Sequence, residues 1–160
     1  MDKDEVYKTT CWARFIVESG ANYETSENEE LDVVFFEPND ITEILHTKPR
    51  WICRHGEVKH SASNPDDVYD FTAWHSQDVT EPPHDRNELC HIIVQRLKPY
   101  ANELIQYRNR YNVSYEILIS VYESGSDITL DLDTISFCNR VGIKISINTC
   151  LLGYAPETEI

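Results

Sequence analysis

One order of segments occurs twice along this chain, and that repetition restricts the folds it can reach. Cys11–Glu18 and Asp32–Phe36 have strand character and flank a polar loop, and a short helix over Ile41–Thr47 leads to a further strand. Downstream, Tyr115–Tyr122 and Ile128–Leu130 flank Glu123-Ser-Gly-Ser-Asp127, and a helix reaching Val141 leads to a last strand, Ile143–Asn148. Local sequence follows the same order. Phe15-Ile-Val-Glu-Ser-Gly20 resembles Ser120-Val-Tyr-Glu-Ser-Gly125, and Phe36-Glu-Pro-Asn-Asp-Ile41 is matched 94 positions later by Leu130-Asp-Leu-Asp-Thr-Ile135. The two glycines are 105 positions apart, so the first copy carries 11 extra residues in its hairpin loop. Duplication and chance similarity are both open on so few identities. The order predicts an α+β fold: a mainly antiparallel sheet built from two strand–strand–helix–strand units, with helices on one face.

Punctuation residues set the expected ends. Asn39 or Asp40 caps the first helix, and Pro49 stops it by biasing Lys48 away from helical geometry. Trp51–Lys59 and Tyr69–His75 are strands rich in aromatics. Asp85-Arg-Asn-Glu88 is a capping-box pattern that opens the longest helix, with Leu89, Ile92, Ile93 and Leu97 along one face. Pro99 lacks an N–H and must kink or restart it, leaving Tyr100, Leu104 and Ile105 as the next stripe. Asp131 or Asp133 caps the last helix and Gly142 closes it. Ala21–Glu30, Ser61–Asp67 and Ser76–Asp85 read as exposed loops.

At 160 residues, 41% of them hydrophobic and 11% aromatic, the chain fits one domain over 1–160 with a single core. Its net charge of −14 is unevenly placed: residues 15–47 hold nine acids and no Lys or Arg, and 61–85 hold six acids and no base. Such acidity argues against bare nucleic acid or an anionic membrane as partner, since both demand cations. The charged start Met1-Asp2-Lys3-Asp4-Glu5 lacks a signal peptide's apolar segment, and no apolar cluster is long enough to span a bilayer. Cys11, Cys53, Cys90, Cys138 and Cys150 are dispersed and odd in number, as for reduced thiols packed as small hydrophobes. These features predict a cytoplasmic location.

The chemistry-bearing motifs fail one by one. Phosphate-cradling glycine loops and a hydrolase nucleophile elbow are absent. His55-Gly-Glu57 matches the H-x-E of zinc deaminases, but no C-x-x-C exists to complete the ligand set. Cys53, His55 and His60 do not share a strand face without a turn, so no metal site is expected. Cys90 and His91 are helix neighbours and point apart, which disfavours a nucleophile–base pair. No catalytic residue and no cofactor is assigned. Around Trp51 lies a basic island, Lys48, Arg50, Arg54 and Lys59, which reads either as internal charge balance or as a partner-contact patch.

Glu37-Pro-Asn-Asp-Ile-Thr-Glu-Ile-Leu-His-Thr-Lys-Pro-Arg-Trp51, followed by Arg54-His-Gly56-Glu57, resembles a bacterial family of uncharacterised domains, domain of unknown function 4279. The family pattern combines an acidic-Pro start, an I-T-x-x-L helix and a Lys-Pro turn with an aromatic and a Gly-acidic pair. A strand like that ending at Trp74, an L-x-P like Leu97-Lys-Pro99 and a helix–strand like Ile135–Ile147 follow. The resemblance covers roughly 10–150. His46 stands where a glycine is usual, and the loop Ala21–Glu30 is longer than in the pattern. The family supplies no catalytic residues, but small proteins similar to it occur beside toxin modules, which implies an immunity role.

Two functional expectations follow. The first is a non-catalytic acidic protein that masks a basic protein partner, such as a nuclease-type toxin, through Glu24, Glu27, Glu29, Glu30, Asp66, Asp67 and Asp70. The second is a small-molecule sensor or enzyme with a pocket near Trp51, Arg54 and Trp74.

Overall fold

The structure, a computed structural model, describes residues 10–19, 34–122 and 127–149. In chain order its elements are β1 (Cys11–Ser19), α1 (Pro38–Leu45), β2 (Trp51–Cys53), β3 (Thr72–His75), β4 (Val79–Glu81) and α2 (Leu89–Leu97). A 3₁₀ turn (Lys98–Tyr100), α3 (Ala101–Tyr111), β5 (Ser114–Val121), α4 (Leu132–Val141) and β6 (Ile143–Thr149) follow. The fold is α+β, with a six-stranded and mostly antiparallel sheet in the order β2-β3-β1-β5-β6; β4 also pairs with β1. Among the described strands only β5 and β6 run parallel, with α4 as their crossover.

The core follows from strand and helix periods. Alternation places Cys11, Ala13, Phe15 and Val17 of β1 on one face, beside Tyr115, Ile117, Ile119 and Val121 of β5. Ile41 and Leu45 of α1, Leu89, Ile93, Val94 and Leu97 of α2, Leu104 and Tyr107 of α3, and Phe137 and Val141 of α4 complete the same cluster. Tyr107 reaches across it to donate to Asp40 Oδ2 at 2.9 Å, and burial first, then that contact, pushes its phenol well above the usual range.

Several boundaries differ from the sequence expectation. The cap of α1 is Glu37, whose Oε1 accepts from the Asn39 backbone N–H at 3.2 Å, so Asn39 and Asp40 lie inside the helix. Pro38 takes the first helical position, where no N–H is missed. Asp85 organises a turn before α2 instead of opening it: its Oδ1 accepts from Asn87 N–H at 2.8 Å, and the helix begins at Leu89. Pro99 restarts the helix as expected, through the 3₁₀ turn. Asp131 caps α4 by accepting from Thr134 N–H at 2.7 Å, and Gly142 ends it at φ 83.

The second strand of each expected unit is not formed. Val34–Phe36 and Ile128–Leu130 carry no strand, while Asp32 and Val33 lie outside the described residues. Trp51–Lys59 is a strand only to Cys53, because Gly56 at φ 83 turns the chain back. Tyr69–His75 is a strand only from Thr72. Residues 76–85 are not all loop: β4 continues β3 along β1 after a bulge. Ile16 faces His75 and Ala13 faces Val79, so Arg14 and Phe15 oppose the three residues Ser76–Asp78. Ser76 N–H donates to the Phe15 carbonyl at 2.9 Å, and Ser76 Oγ accepts from Phe15 N–H at 2.9 Å, so one residue closes the interrupted ladder.

Candidate functional site

The alternate residues of β1, Trp12, Arg14, Ile16 and Glu18, point away from the main core. Pairing places them beside Glu116, Leu118 and Ser120 of β5, His75 and Ala73 of β3, and Trp51 and Cys53 of β2 through β3. This second face has two chemically distinct ends.

One end is acidic. Glu18 is half-buried, and the charges of Glu116 and Asp70 act on it. Burial first, then repulsion from Glu116 and Asp70, holds its carboxyl above the usual range. Among the described residues no Lys or Arg forms an ion pair with any of these three acids. Asp66 and Asp70 are exposed in the segment that precedes β3. Asp67, also exposed, pairs with Lys59 Nζ at 2.8 Å.

The other end is balanced. The bulge presents Asp78, which accepts from Arg14 Nε at 2.8 Å, Arg14 Nη2 at 3.2 Å and Arg50 Nη1 at 2.7 Å. Arg14 also lies 4.1 Å from the Trp12 ring centroid, and Trp12 Nε1 donates to the Tyr122 hydroxyl at 2.9 Å. His75 sits against this group and is held neutral: burial, then the Arg14 charge, lowers its pKa to about 4.

The expected site residues are placed as follows. Glu24, Glu27, Glu29 and Glu30 lie outside the described residues. Trp51, Arg54 and Trp74 do not converge on one pocket. Trp51 pairs with His75 and Ile52 pairs with Trp74, so the one-residue step puts the two tryptophans on opposite faces of the sheet. Trp51 packs with Tyr69 and Phe71, whereas Trp74 is fully buried in the main core and donates from Nε1 to Thr42 Oγ1 at 3.0 Å. Arg54 is taken up by Glu37, with Nη2 to Oε1 at 2.6 Å and Nε to Oε2 at 3.2 Å, and so steadies the residue that caps α1. With Arg50 on Asp78 and Lys59 on Asp67, the basic island is largely internal charge balance.

Glu18 and Glu116 were not singled out by sequence. They sit in strands far apart in the chain, and only the β1–β5 register makes them diagonal neighbours. The remaining reactive groups are occupied. Cys90 contacts Cys138 across α2 and α4; that contact and burial push the Cys90 thiol up, away from a nucleophile's range. His91 turns instead to Asp131, with Nδ1 3.1 Å from Oδ2. His91, Asp131 and Asp133 lie close enough to hold a cation, yet Asp131 caps α4 and Asp133 is bound by Lys98 Nζ at 2.5 Å. No helix among the described residues is long and apolar enough to cross a membrane.

Residues 25–152 match a family model described as Domain of unknown function (DUF4279). No curated protein and no solved structure matches the chain.

Proposed function

Since the chain belongs to the DUF4279 family, whose description assigns no activity, we propose that it is a non-catalytic binding protein whose acidic surface masks a basic protein partner. An immunity protein covering the substrate site of a nuclease-type toxin is the most concrete form of this reading, and it leaves nucleic acid and membranes outside the partner set. In this reading the helices occupy one face of the sheet and the opposite face is the contact surface. The observation that carries it is the Glu18, Glu116 and Asp70 group: none of the three acids is ion-paired to a described base, although Lys144 of β6 is the cross-strand partner of Glu116, and burial raises the cost for Glu18. A basic side chain from a partner would relieve that repulsion, and the outlying acids Asp66, Glu24, Glu27, Glu29 and Glu30 would steer its approach.

The test uses the basic product of the neighbouring reading frame, purified separately. A salt-sensitive 1:1 complex is expected. Its association rate at low salt should fall about tenfold when Glu18→Gln, Asp70→Asn and Glu116→Gln are combined. An unchanged rate overturns the assignment of this surface, and failure to form any complex overturns the partner class.

A further inference from the structure

On the helix-covered side of the sheet, a cavity of about 280 Å³ opens between α1, α2 and the β3–β4 bulge. Its walls are apolar: Phe15, Leu45, Trp74, Ile93, Leu97 and the ring of Tyr100. Its rim is polar, and Thr47, Gln77 and Arg96 there are exposed. Arg96 makes no ion pair among the described residues, whereas Arg14, Arg50, Arg54, Lys59, Arg86 and Lys98 each hold a carboxylate. The side chains of Thr47 and Gln77 and the Tyr100 hydroxyl likewise have no hydrogen-bond partner there. A mostly apolar chamber with a few polar groups among its lining residues is the form a small-ligand site takes.

We propose that this cavity binds a small amphipathic monocarboxylate, with an aliphatic or aryl body against Phe15, Trp74 and Leu97 and a carboxylate on Arg96. Size and charge select that class. At about 280 Å³ the volume is just below the usual range of ligand pockets, roughly 300–1,000 Å³, so it admits a fragment-sized body and not a nucleotide. Among the described lining residues Arg96 is the one cation without an ion pair, which suits one negative charge, and a guanidinium takes a planar carboxylate through two parallel N–H donors. Tyr100 and Gln77, which also line the cavity, add a hydroxyl and an amide to its polar groups. Nothing in this site draws on Glu18, Asp70 or Glu116, so the two proposals stand separately.

The full chain is titrated with octanoate and with 3-phenylpropanoate below micellar concentration, followed by tryptophan fluorescence and amide shifts near Tyr100 and Gln77. Saturable binding is expected, about tenfold weaker for uncharged octanamide and for Arg96→Gln, and abolished by Thr47→Trp, which blocks the mouth from an exposed position. The triple acid variant should bind as the wild type does. A thermal melt establishes that Arg96→Gln is folded, which its exposed and unpaired side chain leads one to expect. No saturation at millimolar carboxylate, equal binding of octanoate and octanamide, or an unchanged Arg96→Gln would each overturn the proposal.

Discussion

Two side chains on the second face of the sheet titrate away from their ordinary values, and each has a consequence that can be measured. His75 is neutral in the fold to about pH 4, against 6.5 when unperturbed, because burial and the Arg14 charge oppose its protonation. Between those values the unfolded chain binds the extra proton and the folded chain does not, so His75 lowers stability as pH falls from 6.5 towards 4. The melting temperature should decline across that window, and His75→Gln should flatten the decline; an NMR titration of the imidazole gives the pKa directly. Glu18 behaves oppositely. Its folded carboxyl is raised, so the folded state holds its proton more tightly, and stability is lost as pH rises through the folded value. Glu18→Gln should therefore raise the melting temperature at pH 7 by about 1–2 °C, a sub-kcal/mol effect in a chain this size, and the gain should vanish near pH 4. A stabilising substitution at a natural acid is the signature of a residue kept for something other than the fold. If Glu18→Gln is neutral or destabilising at pH 7, the repulsion does not govern this site.

At the level of elements, the bulge between β3 and β4 is the junction that matters most, because Ser76 closes the ladder to Phe15 while Gln77 lines the cavity and Asp78 holds Arg14 and Arg50. Removing the Ser76 hydroxyl strands the Phe15 N–H in a partly buried position. Ser76→Ala should cost about 1 kcal/mol, read as a lower denaturant midpoint with an unchanged slope. Asp131→Ala, which removes the α4 cap, should likewise lower the denaturant midpoint with an unchanged slope. The two junctions also mark how far the sequence could be read. Asp131, Gly142 and Pro99 act through bonds or dihedrals within a few residues of themselves, so their roles were legible from the chain alone. Ser76 acts across 61 positions, and nothing local announces a bulge there. The expected hairpin partners Val34–Phe36 and Ile128–Leu130 had strand composition, but the edges available to them are taken: β1 is flanked by β3, β4 and β5, and β5 by β1 and β6. The same limit explains the pocket near Trp51 and Trp74. Composition brought the two tryptophans together, whereas register, which no single strand carries, put them on opposite faces.

For the molecule as a whole, the net charge of −14 resolves into acids that are answered and acids that are not. Glu81 belongs to the first kind: the Arg86 guanidinium and the Thr10 hydroxyl hold its carboxyl at about 2. Glu18 belongs to the second, and its protonation should change on binding the proposed basic partner. In the free protein Glu18 titrates above the usual carboxylate range; a cation placed beside it would bring it back down. Between the bound and free values the free protein carries more protons than the complex, so binding must release protons, and affinity must rise with pH through that window before levelling off. Calorimetry at about pH 5 in two buffers of different ionisation enthalpy reads that release as a difference in apparent binding heat. The difference should be present for the wild type and absent for Glu18→Gln. Association that is salt-sensitive but shows no buffer dependence would place the partner on the outlying loop acids alone, and would leave the sheet face out of the contact.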